Sequence, residues 1–277
     1  MSLYFYELVR SKVVFVRAVI LGSGASWPDP TRSSPGQIIE VNDEPLLIDC
    51  GPGTTTNIMK AGFDLTKISR MFLTHLHMDH ALEFPSIVFS SYLAGKKDQT
   101  HLYGPQGTMN YSAFLFEKVY PYAPEVLRII RKEGLDLDLH EANERLLCNS
   151  EEYRVLTARV EHGKDPANAY RIESKEGVIV VSGDTRPCKS LTDLAQRADL
   201  LIHECSFPSD MLELARVTNH TCASEVGAIA TQAGVRKLAL THLFPVCNGR
   251  EDEIVNTVKS NFAGEVIIGR DLLEIEL

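Results

Sequence analysis

The sequence predicts an α/β or layered α+β architecture, and two observations carry that prediction. Short apolar, β-branched runs recur along the chain, each ending in a polar or ligand-type residue: "FVRAVILGSG" (15–24), "RMFLTHLH" (70–77), "GVIVVSGD" (177–184), "ADLLIHE" (198–204) and "KLALTHL" (237–243). Segments with helix start and stop signals fall between several of them. Short continuous apolar runs read as strands buried on both faces. Composition agrees: 44% of residues are hydrophobic and 23% charged, which is enough apolar side chain for a sizeable core. No low-complexity tract, long linker or short-period repeat interrupts the chain. One domain over 1–277 is therefore expected, with residues 1–12 as an N-terminal appendage.

Taken in order, 15–24 is the first strand. "IIEVNDEPLLIDCG" (38–51) reads as two strands joined around Asn42-Asp43, a turn-type pair. "GTTTNIMKAG" (53–62) reads as a helix with threonine caps that stops at Gly62. After the strand at 70–77, "ALEFPSIVFSSYLAG" (81–95) reads as a helix with Pro85 near its start and Gly95 at its end. "YSAFLFEKVYPYAPEVLRII" (111–130) is aromatic-rich and suits core packing, an active-site mouth or a subunit contact. "TCASEVGAIATQAG" (221–234) opens on a capping box, Thr221 with Ser224 and Glu225, and closes on Gly234.

The formal net charge of −9 argues against broad affinity for nucleic acid, which depends on Lys and Arg against phosphates. Cys50, Cys148, Cys188, Cys205, Cys222 and Cys247 are scattered without a C-x-x-C pair, so free thiols are expected rather than disulfides or a cysteine zinc site. No apolar run is long enough to span a bilayer. The opening lacks a signal-peptide cleavage site, so a cytoplasmic protein is expected.

"LTHLHMDH" (73–80) puts three histidines and an aspartate within six positions, directly after an apolar run. Packing gives no reason for that; a metal site does. His75 and His77 stand two apart, which in an extended segment places both imidazoles on one side. Asp79 and His80 follow where the chain must turn. One loop can thus offer two imidazoles to one metal, and a carboxylate plus an imidazole to a second. Nitrogen and oxygen donors suit zinc, with manganese or iron as alternatives. Two metals need further ligands at strand ends, and His162, Asp184 and His242 stand there.

His75-x-His77-x-Asp79-His80, then His162, Asp184 and His242 in that order, resembles the metallo-β-lactamase superfamily. "SGDTRPCKSLTDLAQRADLLIHECSF" (182–207) and "NHTCASEVGAIATQAGVRKLALTHL" (219–243) narrow the resemblance to its ribonuclease Z (tRNA 3′-processing) branch. "LGSGASWPDPTRSSP" (21–35) and "LLIDCGPGT" (46–54) also sit where that branch has equivalents. The resemblance implies an α+β, four-layer αβ/βα sandwich with two Zn2+ per chain. By motif, His75, His77 and His162 bind one ion, Asp79, His80 and His242 the other, and Asp184 bridges them. It further implies a metal-bridging hydroxide as nucleophile, with Asp79 orienting it. By the same resemblance His220 would protonate the leaving oxygen, with Glu204 holding its ring. A homodimer is implied as well. His203 should face away from Glu204, and it is expected to be structural, as are His101 and His140.

Three departures bear on the substrate. The branch carries a tRNA-gripping arm between the His162 and Asp184 equivalents. Here only 21 residues separate them, enough for a hairpin. "THLFPVCNGRED" places Arg250 further behind the last histidine than the branch does, and Cys205-Ser206 follows Glu204 in place of Ala-Thr. The expectation is therefore a zinc-dependent hydrolase of phosphodiesters, RNA and tRNA among them. Another hydrolase on the same core, such as an arylsulfatase or lactonase, is the alternative. A scaffold without catalysis is disfavoured because all seven ligand positions are kept.

Overall fold

The apolar runs pair into two seven-stranded sheets. The computed structural model describes residues 15–131, 134–143 and 145–277, so the expected appendage at 1–12 lies outside the described residues. In the first sheet, β1 (Val16–Gly22), β2 (Gly36–Val41) and β3 (Glu44–Ile48) form an antiparallel meander. Asn42 and Asp43 turn the β2–β3 hairpin with φ of 50° and 67°, the left-handed conformation that a type I′ turn requires. Three strands follow in parallel: β4 (Arg70–Phe72), β5 (Thr100–Gly104) and β6 (Leu137–Glu141).

The second sheet begins with an antiparallel run: β7 (Leu146–Asn149), β8 (Tyr153–His162), β9 (Asp165–Ser174) and β10 (Val178–Val181). It continues in parallel through β11 (Leu200–Glu204), β12 (Lys237–Thr241) and β13 (Glu265–Ile268). The last strand, β14 (Leu273–Glu276), returns to pair with β1.

Period-two alternation explains why the runs are apolar throughout. Ala18 and Ile20 of β1 pack between the sheets with Leu200 and Ile202 of β11. Their neighbours Val19 and Leu201 pack outward. Over the outer face of the first sheet lie α1 (Thr54–Lys60), α2 (Met78–Ala81), α3 (Phe84–Ala94), α4 (Thr108–Phe114) and α5 (Tyr122–Arg131). The second sheet is covered by α6 (Lys189–Leu194), α8 (Ala223–Ala233) and α9 (Glu251–Lys259), with α7 (Leu212–Val217) packed beside Phe207. Helix, sheet, sheet and helix make the four-layer αβ/βα sandwich.

Local start signals differ from expectation at three helices. The N-cap of α1 is Gly53, not a threonine. The carboxylate of Glu83 accepts the amides of Gly53 (2.7 Å) and Thr55 (2.6 Å) instead. The N-cap of α8 is Cys222 with Glu225, while the Thr221 hydroxyl donates to the Thr185 carbonyl at 2.6 Å. The stretch 81–95 is split, because the Glu83 amide leaves the helical ladder to donate to the Cys50 carbonyl at 2.9 Å. In each case a tertiary partner displaces the local one. Gly95 and Gly234 close α3 and α8 in the left-handed conformation, at φ of 117° and 66°.

Candidate metal centre

β4, β10, β11 and β12 all end at one rim of the sandwich, and the chemistry-bearing residues stand there, outside the carboxyl ends of parallel strands. Beyond β4 the chain continues to His75, which is buried, and His77, whose side chain is 46% exposed. Their ring centroids lie 4.5 Å apart, edge to face. The short helix α2 then presents Asp79 and His80. Residues 49–53 press against it: the Cys50 amide donates to the His80 carbonyl at 2.7 Å. A Cβ on Gly51 would sit 1.7 Å from the Asp79 carbonyl oxygen, so only glycine permits this approach.

The other three candidates arrive from the second sheet. His162 ends β8, Asp184 follows β10, and His242 follows β12. Gly183, at φ 60°, turns the chain into Asp184 and leaves no room for a Cβ against Thr74. The structure brings all seven together in two groups. His75, His77 and His162 form one, and Asp79, His80, Asp184 and His242 the other, with ligand atoms in each group within 4.8 Å of one another. Asp184 stands between them. Its oxygens lie 3.8 Å from His75 Nε2, 3.3 Å from His80 Nε2 and 3.1 Å from His242 Nε2.

The hydrogen bonds on the far side of each ring determine which nitrogen is free. His80 Nδ1 donates to Asp49 Oδ2 at 2.8 Å, and His162 Nδ1 to the Asn219 carbonyl at 3.1 Å. His77 Nε2 donates to Asp165 Oδ2 at 3.1 Å. Two hydroxyls act as relays. Thr74 Oγ1 donates to Asp49 Oδ2 (2.8 Å), so it accepts from His75 Nδ1 (3.1 Å). Ser206 Oγ donates to Glu204 Oε2 (2.5 Å), so it accepts from His242 Nδ1 (2.9 Å). Each imidazole of the seven thus turns its other nitrogen toward the centre, where the neutral ring offers a lone pair. Asp49, Asn219 and His242 hold left-handed backbones, at φ of 57°, 62° and 55°. Such strain is stored where a side chain or carbonyl must be aimed.

The donor set fits divalent cations. Among the described residues, buried His75 Nε2, His80 Nε2 and Asp184 Oδ1 have no hydrogen-bond partner, a costly arrangement unless a ligand satisfies them. Burial and the neighbouring imidazoles hold His75 well below its usual range, and burial lowers His162, so both favour the neutral, ligating form. Burial also opposes charge on His242, but Asp184 and Asp79 outweigh it and push that imidazole up to about 10. The pocket's own acids draw positive charge, and a metal ion answers the same field.

Beside this centre, His220 Nδ1 lies 3.1 Å from both oxygens of Glu204 and 3.8 Å from Asp184 Oδ2. Glu204 is buried and also accepts the amides of Thr185 (2.6 Å) and Thr221 (3.2 Å). Burial lowers the His220 imidazole, while the charge and hydrogen bond of Glu204 raise it on balance. His203 is buried on the opposite face and bonds its own chain, Nδ1 to the Glu204 carbonyl at 2.6 Å. Arg250 stays away from the centre, paired with Asp210 and Glu253. Sequence reasoning missed Asp49, Thr74, Asp165 and Ser206. A carboxylate ending "LLID" was the available signal for Asp49; a bond made 31 residues away leaves no local pattern.

A family model described as Anti-Pycsar protein Apyc1 matches residues 16–245. A protein named ribonuclease Z from Methanosarcina acetivorans is 30% identical, with 95% of this chain and 98% of the relative covered. The chain belongs to the Apyc1 family and to the ribonuclease Z-like branch of the metallo-β-lactamase superfamily. Solved structures agree on the fold. The metallo-β-lactamase fold protein YhfI from Bacillus subtilis superposes with a TM-score of 0.78 at 22% identity, covering 95% of this chain and 99% of that one. The short form of human tRNase Z superposes at 0.77 and 23%, covering 94% and 98%. The protein is accordingly a ribonuclease Z-like, metal-dependent hydrolase. Among the described residues, no helix is long and apolar enough to cross a membrane.

Proposed function

We propose that this protein is a dinuclear metal-dependent phosphodiesterase. In this reading His75, His77 and His162 would hold one cation and Asp79, His80 and His242 the other, with Asp184 available to both. The observation that carries it is the meeting of two imidazole-rich clusters at one buried carboxylate, with unpaired ligand atoms in the second cluster and at His75. The donors suit zinc, and manganese or iron fit the same set. Bound there, such a pair supplies charge neutralisation for a phosphate and a water ionised near neutral pH. Asp79 lines the adjoining cleft as well as the centre, where its carboxylate would orient that water. Glu204 fixes the His220 ring through Nδ1, leaving Nε2 as the nitrogen that delivers a proton to the leaving oxygen.

The cleft has a volume of about 1000 Å³ and is walled by Ser26, Arg32, Lys60, His77 and Asp79 among others. It suits a small phosphodiester. β8 and β9 pair down to His162 and Asp165, so the connection between them is a tight hairpin and offers no arm for a folded RNA. Relatives named ribonuclease Z favour an RNA substrate, and an arylsulfatase or lactonase on the same core is the alternative. Exposed Leu93, Met109, Phe114 and Tyr122 on the α3–α5 side support a homodimer. The core shared between both sheets supports one domain.

Zinc-loaded protein should cleave bis(p-nitrophenyl) phosphate and a dinucleotide faster than precursor tRNA, with an aryl sulfate and a lactone as controls. Turnover of the sulfate or lactone alone overturns the reading. His220→Ala should slow dinucleotide cleavage by about 10²-fold or more, since its alkoxide leaving group needs the acid. The p-nitrophenyl ester should suffer less, and metal content should not change.

A further inference from the structure

Among the described residues, one other set of side chains outside the centre around Asp184 converges as metal ligands do: His101, Asp138 and His140. We propose that these three form a separate divalent-cation site of the zinc class, clipping edge strand β6 to β5.

The strands themselves build the site. His101 stands opposite Asp138 across the parallel β5–β6 pair, and Tyr103 opposite His140. Residues two apart on a strand share a face, so His101, Tyr103, Asp138 and His140 lie on one face. The Tyr103 ring stacks on His140 at 4.5 Å and 12°, and His101 lies parallel to it at 6.5 Å. The two imidazoles are therefore held by packing rather than left to swing. Both reach the same carboxylate oxygen: His101 Nδ1 lies 3.0 Å from Asp138 Oδ2, and His140 Nε2 2.9 Å from it. Donors on a tetrahedral zinc with bonds of ~2.0 Å stand roughly 3.3 Å apart, so a small outward shift admits the ion.

A second observation separates this cluster from an ordinary histidine–carboxylate contact. Among the described residues, His140 Nε2 is a buried atom with no correctly aligned hydrogen-bond partner, despite its 2.9 Å approach to the carboxylate. His75 Nε2 and His80 Nε2, in the main centre, also lack partners, there on buried side chains, whereas the His140 side chain is 37% exposed. The Asp138 side chain is 41% exposed, leaving a path for the ion and room for water as a further ligand. One cation stands close by in the register: Arg70, opposite His101. Glu44 pairs with its guanidinium and offsets that charge. The site shares no residue with the groups around Asp184 and does not depend on the activity proposed above.

The test is zinc uptake by full-length protein whose main centre is already filled. The wild-type chain should take up one further zinc ion, and the His101→Ala/His140→Ala double variant should not, with phosphodiester turnover the same in both. Equal uptake by the two proteins overturns the proposal. The wild-type protein alone gives an independent answer if the double variant folds poorly. With ¹⁵N-labelled imidazoles, the same zinc addition should move the signals of His101 Nδ1 and His140 Nε2. Unmoved signals at both nitrogens overturn the proposal.

Discussion

Ser206 shows how much one hydroxyl can decide. Backbone amides and His220 donate to both oxygens of Glu204, so that carboxylate acts as an acceptor and Ser206 must donate to it. The hydroxyl oxygen is then left to accept from His242 Nδ1, which turns His242 Nε2 toward Asp184 and the centre. Ser206→Ala should lower metal affinity about 10-fold, in the range found for outer partners of ligating histidines. Ser206→Thr should restore it, and chelator competition measures both; equal affinity in all three proteins removes the relay. Glu204 itself sets a pH limit. In the role proposed for it, His220 acts as an acid only while protonated, so turnover should fall on the alkaline side as it loses its proton. Glu204 raises that imidazole against the effect of burial. Glu204→Gln should therefore bring the alkaline limb of kcat/KM for a dinucleotide to lower pH. A limb that stays in place would show that another group carries the proton.

At the scale of elements, the rim depends on backbone meeting backbone. The turn after β3 lies so close to α2 that a methyl group on Gly51 would overlap the Asp79 carbonyl. Gly51→Ala should cost about 1–3 kcal/mol of overpacking. It should also displace Asp79 and His80, seen as a lower Tm together with reduced zinc content. Gly62→Ala is the control, since nothing stands within 4 Å of its added Cβ and only its φ of 83° is strained. It should lower Tm without loss of metal. Much of this rim was legible from the sequence, because buried strands are apolar along their whole length and a histidine or aspartate at their ends stands out. β6 and β7 were not legible: "LDLHE" and "LLCN" are short, partly exposed edge strands without a continuous apolar run. The true caps of α1 and α8 were also hidden, since Glu83 reaches α1 from 28–30 residues away and a cysteine rarely signals an N-cap. Asp49 reads like any acid that ends a strand until His80 folds against it.

For the whole molecule, the centre is a joint between the two sheets. His75, His77, Asp79 and His80 hang from the first sheet, while His162, Asp184 and His242 come from the second. Protein contacts alone already cross the joint. The Tyr170 hydroxyl donates to the Leu73 carbonyl at 2.6 Å, the Asn168 amide to the Thr74 carbonyl at 2.9 Å, and the Leu243 amide to the Ser23 carbonyl at 3.0 Å. Cations held as proposed would engage both sides in the folded chain and not in the unfolded one, and so would stabilise it by mass action. At free zinc a thousandfold above Kd the gain is about 4 kcal/mol per site, or roughly 10 °C in Tm for a chain of this size. Calorimetry of zinc-loaded against chelator-treated protein measures it. The difference should shrink as pH falls toward 5, because protons compete with metal for the imidazole nitrogens. The proposed site on β5–β6 involves the first sheet alone, so His101→Ala/His140→Ala should retain most of the zinc-dependent shift. A Tm that does not respond to zinc at neutral pH would mean that these seven side chains meet without holding an ion between them.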